Sequence, residues 1–381
     1  MRFLFRLFLF IALLVLPIQV LAQDSTTVEP LAPSVYERAK ILEITEEGTR
    51  DSVGIEDSYQ ILLMELLSGA DAHKVVTTEF VTAASSFERQ KLHKGDTLVV
   101  TKTNDVRGDN YYVVDVFRLP TLGIFAVLFF LAAAIFGRTK GVGAIFGLAV
   151  SVAILLLFVV PRIFAGENPL LICGIGSVAI AFASVLLAHG FHRRTYVALG
   201  ATLLALLSAF ILAALAVKLT ALSGSGTEEA MFLQLNYLTG IDLQGLLLGG
   251  IVIGALGVLD DVTTAQVAAV EEIHNANESL DFKELYTRGS SVGREHIAAL
   301  VNTLALAYVG ASFPLFLLFA MPDSPPLWAL LNTEQITEEI IRALVGGGAL
   351  MLAVPISTVF AAWYFAGRRV MSVHSRGSHH H

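Results

Sequence analysis

Seven long apolar blocks dominate the chain after residue 118, at roughly 119–137, 142–160, 168–190, 195–217, 243–262, 295–320 and 342–366. Each approaches or exceeds the roughly 20 helical residues needed to cross a hydrocarbon layer about 30 Å thick. None alternates with the two-residue period of a membrane β-strand, so the pattern predicts a mostly α membrane protein, a polytopic helical bundle of seven spans. The chain also opens on an apolar run, Leu7 to Val20, behind Arg2 and Arg6 and ending in the small residue Ala22. That is the profile of a signal peptide over 1–22 or, left uncleaved, of an N-terminal anchor that makes the spans eight. Between the two regions, 23–118 has mixed polarity. Five short β-type runs stand there, Ala39–Ile44, Tyr59–Leu66, Lys74–Val81, Thr97–Thr103 and Tyr111–Phe117, separated by turn signals such as Glu47-Gly48 and Ser68-Gly69. Five strands in so short a stretch predict a small β-barrel of OB-like type.

Lysine and arginine set the expected orientation. With the β-domain outside, inner loops carry Arg138 and Lys140, then Arg193 and Arg194, then Lys283, Arg288 and Arg294, and finally Arg368 and Arg369; outer positions hold only Arg162, Lys218 and Arg342. The alternation holds across every block. It places 23–118 outside the cytoplasm, 119–369 in the membrane and the tail 370–381 inside. The last residues, Arg376 to His381, look like the start of an affinity tag, so their histidines carry no metal argument. Two outer stretches, Glu228–Leu238 and Leu327–Ile341, are amphipathic and are expected to lie on the membrane surface.

Composition agrees: 55% of residues are hydrophobic and 15% charged, with a mean hydropathy of +0.69, against about 25% charged in soluble domains. A net charge of −8 without a basic run argues against a nucleic-acid partner. One cysteine, Cys173, excludes an internal disulfide. No HExxH, P-loop, GxSxG or CxxC pattern occurs, so neither an enzyme nor a cofactor is expected.

Chemistry concentrates in Asp242–Gln266. The purely apolar stretch there runs only from Gly245 to Leu259, about 22 Å of helix. A straight helix therefore leaves Asp260 and Asp261 within the inner leaflet, where an ionised carboxylate is expensive and tends to face protein or water. Thr263, Thr264 and Gln266 add oxygens, and Glu271, Glu272 and His274 follow. At 3.6 residues per turn Asp261, Thr264, Ala268 and Glu272 share a face, with Asp260 and Glu271 beside it. The plainer alternative is that the two aspartates end the span and the two glutamates are a solvated face. The helix expected to start at Arg294-Glu295-His296 carries Asn302 and Thr303 about 12 Å inward, the depth estimated for the aspartates; the same residues also serve as inter-helix glue. Gly289–Gly293, expected just before that helix, could present N–H groups to an anion. Gly250, Gly254 and Gly257, and the cluster Gly346 to Gly348, are expected to allow close helix packing.

These residues resemble a known group. Ile253-Gly254-Ala255-Leu256-Gly257-Val258-Leu259-Asp260-Asp261-Val262, leading to Glu271-Glu272-Ile273, is similar to the central motif of the YibE/F-like membrane proteins. Gly293-Arg294-Glu295-His296-Ile297 and Val301 to Ala311 resemble that family's second block. The likeness runs from about Leu119 to Arg369, and the His93–Asp96 turn fits the family's N-terminal region. It implies a multi-pass protein of the bacterial inner membrane, described as a transport or efflux protein without a settled substrate class. Many members read MDVAISIAS where this chain has the more polar Leu259-Asp260-Asp261-Val262-Thr263-Thr264-Ala265-Gln266.

The leading expectation is a transporter or permease for an ion or small solute, coupled to protons or a hard cation. Its route would be lined by Asp260, Asp261, Thr264, Gln266, Glu271, Glu272, Arg294, His296, Asn302 and Thr303. Its partners would be the bilayer, the transported species and, through the outer β-domain, a second copy or another protein. The competing expectation is a scaffold or sensor that transports nothing and works through that β-domain. An aspartyl hydrolase fits poorly, because adjacent residues on one helix diverge by about 100°.

Overall fold

A computed structural model describes residues 35–52, 55–83, 91–105, 108–237, 240–319, 321 and 325–366. The N-terminal segment 1–22 and the tail from 370 lie outside these residues. The chain forms two compact units, one carrying the strands and running to Leu131, the other built from Ala132 onward.

The first unit has five antiparallel strands, β1 (Val35–Ser52), β2 (Ile55–Leu66), β3 (Val75–Ala83), β4 (Thr97–Asp105) and β5 (Gly108–Val116), in the order β3-β2-β1-β4-β5. All five runs expected from the sequence are strands. β1 is long because it serves two partners. Its first half pairs with β4 and its second with β2, and register shifts after Ile41 and Ile44 bend it between them. The sheet curls until its edges meet, where the Thr78 hydroxyl of β3 donates to the Tyr111 carbonyl of β5. Alternate residues fill this barrel-like interior, among them Ala39, Ile41, Leu62, Met64, Leu98 and Val100. Gly69 takes a positive φ of 90°, and a Cβ there would stand 2.1 Å from the buried Glu37 carboxylate, so only glycine fits.

A charged cluster links β4, β5 and the loop after β2. The Lys102 ammonium donates to Asp71 and Asp109, each at 2.6 Å, and the Tyr111 hydroxyl donates to Asp71 at 2.7 Å. Lys102 and Tyr111 hold the Asp71 carboxyl below its usual range, while burial and then the Asp71 bond push the Tyr111 phenol up to about 12. The signs fix the pH window. Asp71 stabilises the fold above its ordinary value of about 3.9, and that contribution disappears as pH falls through its lower folded value. Tyr111 stabilises below about 10, and loses that as pH rises toward about 12. Near-UV circular dichroism of the intact protein should therefore hold between about pH 4 and 10. In Tyr111→Phe the alkaline limb should flatten and, with the bond to Asp71 lost, the acid limb should flatten in part; an unchanged alkaline limb would show that Tyr111 does not set it.

The second unit is helical: α1 (Leu119–Phe164, entering from the first unit), α2 (Pro169–His189), α3 (Arg193–Leu219), α4 (Glu228–Asn236), α5 (Leu243–Ala276), α6 (Phe282–Ala311), α7 (Phe313–Leu318), α8 (Leu327–Leu331) and α9 (Glu334–Phe365). Five of these described helices are long and apolar enough to cross a membrane: α1, α2, α3, α5 and α9. The first two apolar blocks both fall in α1. It breaks at Arg138 (φ 51°, ψ −134°), where the sequence places a charged loop. The chain folds back there so sharply that a Cβ on Gly141 would lie 2.0 Å from the Ala133 carbonyl oxygen, whereas residues eight apart on a straight helix stand about 12 Å apart. Further along, a π turn at Leu155–Val159 precedes Pro161, which has no N–H to donate. The block 295–320 is divided, because the helix ends at Ser312 (φ −98°, ψ 18°) before the six-residue α7.

Two expectations about α6 are corrected. The helix begins at Phe282 rather than Arg294, since Asp281 and Glu284 form a capping box. Gly289–Gly293 is thus helix interior, its N–H groups committed to the helix and not free for an anion. The amphipathic stretch Glu228–Leu238 contains α4, capped by Thr227, while Leu327–Ile341 divides between α8 and the start of α9.

Helix α5 is the axis of this unit, packing against α2, α3, α6 and α9. The core joins Ile172 and Cys173 of α2, Ala205 and Ala209 of α3, Val252, Ala255, Leu256 and Leu259 of α5 and Ala349, Leu350, Ala353 and Val354 of α9. The loop after α3 is clasped by α9. The Glu334 carboxylate accepts from the backbone N–H groups of Ser223 (2.6 Å) and Gly224 (2.9 Å), and the buried Glu338 accepts from that of Gly226 (2.9 Å).

Candidate functional site

Helix α5 spans 34 residues from the Asp242 N-cap without interruption. Asp260 lies 17 residues beyond Leu243, about 26 Å along the axis, and the polar residues follow from there. They divide between an inward and an outward face.

The inward face is knitted to every neighbour. Ser184 of α2 donates its hydroxyl to Asp260 Oδ2, and Asp260 Oδ1 is buried without a hydrogen-bond partner among the described residues. The Thr263 and Thr202 hydroxyls bond to one another across α5 and α3, both fully buried. Gln266, also fully buried, donates from Nε2 to the Gly289 carbonyl of α6 at 2.8 Å and to Thr358 Oγ1 of α9 at 2.9 Å, locking three helices together. His274 is buried one further step along and stacks on Phe365, their ring centroids 6.2 Å apart.

The outward face has a different character. Gly250, Gly254, Gly257, Asp261, Ala265 and Glu272 are exposed along one side of α5. Ideal Cβ atoms on the three glycines would meet nothing within 4 Å. No large hydrophobic side chain of α5 is exposed, whereas α2 and α3 present Leu171, Ile175, Phe182, Leu207 and Ile211 outward. The expectation that these three glycines pack closely is therefore not met among the described residues. Of the last-span glycines, only Gly346 would meet a neighbour closely, its Cβ 3.2 Å from the Tyr308 hydroxyl.

Charges gather where this face passes the end of α2. His189 lies in the electrostatic field of Lys140, Arg194 and Asp261. Arg194 Nη1 stands 3.2 Å from Glu271 and 4.0 Å from Glu272. Thr264 returns its hydroxyl to the Asp261 carbonyl within the helix at 3.1 Å. Thus the acid groups Glu271 and Glu272 meet the basic Arg194 at this end of the helix, about three turns beyond Asp261.

The second expected group is not drawn in. Arg294, His296, Asn302 and Thr303 are exposed on α6, and Thr303 bonds its own helix at the Ala299 carbonyl, 3.0 Å away. Asp260 finds Ser184 instead of Asn302, because α6 approaches α5 through Gly289 and Gly293, well short of residue 302. Ser184, His189, Arg194, Thr202 and Thr358 join the site without belonging to any motif legible in the chain; a serine inside the apolar α2, which holds Ser177 as well as Ser184, is too weak a signal to single one out. Among the described residues no group of three or more histidine, cysteine, aspartate or glutamate side chains could hold a metal ion.

No curated protein matches the chain, and no solved structure does. The family model described as YibE/F-like protein matches residues 125–367, which includes every polar position just described. The chain belongs to the YibE/F-like family.

Proposed function

We propose that the protein is a multi-pass transporter of the inner membrane that moves protons or a small hard cation along the outward face of α5. In this reading the chain crosses the membrane seven times, α1 contributing two spans on either side of Arg138 and α6 with α7 another. The β unit is an OB-type barrel on the outside, and the arginine-rich ends face the cytoplasm.

The observation that carries the reading is the composition of that face: glycine along its first half, then Asp261 and Glu272, with no large apolar side chain. A helix facing lipid shows leucine, isoleucine and phenylalanine; one with glycine and acid leaves room and polarity for a solute. Asp260 beside it supplies a second carboxylate, held by Ser184. Oxygen ligands without thiolates suit a proton or hard cation over a soft metal.

The test is flux into proteoliposomes containing a pH-sensitive dye, driven by a potassium-diffusion potential, with Na⁺, K⁺ and Mg²⁺ gradients run in parallel. Wild-type protein should carry protons or one of these cations, and Asp260→Asn and Asp261→Asn should each slow it roughly tenfold or more, equivalent to at least about 1.4 kcal/mol of lost stabilisation. Variants running at the wild-type rate, or wild-type protein inert to every gradient, would overturn the assignment.

A further inference from the structure

Helix α6 leaves one side uncovered, and that side is not built for lipid. It packs on α5 and α9 through Gly289, Gly293, Ile297, Leu300 and Leu304. The opposite side carries Ser291, Glu295, Ala298, Asn302, Ala305, Val309 and Ser312 in alternating steps of four and three residues, the heptad seam of two helices packing together. All but Ser312 are exposed.

Asn302 sits in the middle of this seam with no hydrogen-bond partner among the described residues. Its level is fixed by α9: Gly293 meets Val354 and Ser312 bonds Glu339, so Asn302 lies alongside the middle of the stretch between them, which carries no charge from Ala343 to Val354. A carboxamide there has four hydrogen-bonding sites to satisfy away from water. Small residues at 291, 298 and 305 let a second backbone approach. Arg294 and Glu295 form no ion pair among the described residues; in a parallel two-fold pair Glu295, one heptad before Asn302, meets its own copy, and the Arg294 of each chain flanks the Glu295 of the other and offsets the like charge.

From these features we infer that α6 is the dimer interface, packing against α6 of a second copy with the two Asn302 amides bonded across the axis. A second copy fits better than another helix of this chain. The amide is its own complement, whereas the apolar run of α1 before Arg138 offers Thr121, at its very start, as its one polar side chain.

The experiment is oxidative cross-linking of the full chain in native membranes, in a Cys173→Ala background. Ala298→Cys and Ala305→Cys should each give a product of twice the monomer mass, and Leu207→Cys, on the apolar outer side of α3, should not. Adding Asn302→Leu to Ala298→Cys should lower the dimer yield about tenfold at limiting expression, and Asn302→Gln should retain it. Seam cysteines that cross-link no better than Leu207→Cys, that join a protein of another mass, or that are indifferent to Asn302→Leu would overturn the proposal.

Discussion

Gly143→Ala is expected to lower the midpoint of thermal unfolding by about 6–12 °C. A Cβ at this position would stand 2.5 Å from the Leu187 carbonyl oxygen and 3.4 Å from the Ala188 Cα. These are backbone atoms of a neighbouring helix, so no rotamer change relieves the overlap and α1 must move away from α2. Overpacking costs about 1–3 kcal/mol, and the upper end applies where backbone is struck. Roughly 2–4 °C is lost per kcal/mol in a domain of this size. Cys173 provides the readout: its thiol is 2% exposed, so a thiol-reactive fluorophore scanned with temperature in detergent reports opening of the bundle. Gly250→Ala is the matched control, since nothing lies within 4 Å of its Cβ, and it should be neutral or stabilising by up to about 1 kcal/mol. Equal midpoints for the two variants would show that α1 and α2 do not approach closely at Gly143.

The contrast between these glycines shows where the sequence could be read and where it could not. Periodicity located the five strands and the long helices, because burying one side of a strand or a whole span imposes a pattern on consecutive residues. The break at Arg138 was legible for the same reason, as a charge between two apolar blocks. What glycine does was not legible. Gly293 and Gly254 both lie in small-residue runs, yet a Cβ on the first would stand 2.3 Å from Val354 while the second faces open space. The difference depends on which neighbour arrives, and that is a property of tertiary packing.

The candidate site divides along the same line. Helical spacing placed Asp261, Thr264 and Glu272 together, a relation fixed within one helix. Depth alone puts Asn302 at a level where it could meet the aspartates, and the structure supplies Ser184 from α2 to Asp260 instead. Depth along a membrane helix fixes one coordinate; which helix stands alongside is decided by packing faces such as Gly289–Gly293, which lies inside α6 and not ahead of it. The capping pair Asp281 and Glu284 was the local signal that marked the true start.

Gly254→Leu separates the proposed route from a merely exposed surface. Leucine has the higher helix propensity by about 0.8 kcal/mol, and there is room for it, so the variant should fold with an unfolding midpoint at or slightly above that of wild type. In the same proteoliposome assay its flux should fall at least roughly tenfold, because an isobutyl group standing two turns from Asp261 takes up the space that the glycine leaves. The paired measurement is what gives the result meaning. A stable protein that has lost flux identifies the open face of α5 as the path; a stable protein with wild-type flux identifies that face as lipid contact and moves any path to the inward side, where Asp260, Thr263 and Gln266 are already bonded to their neighbours. Transport along the inward side would require those bonds to break in each cycle, so Ser184→Ala and Thr358→Val would then alter the rate while Asp261→Asn would not. The open face asks for no such rearrangement, which is the physical reason for placing the route there.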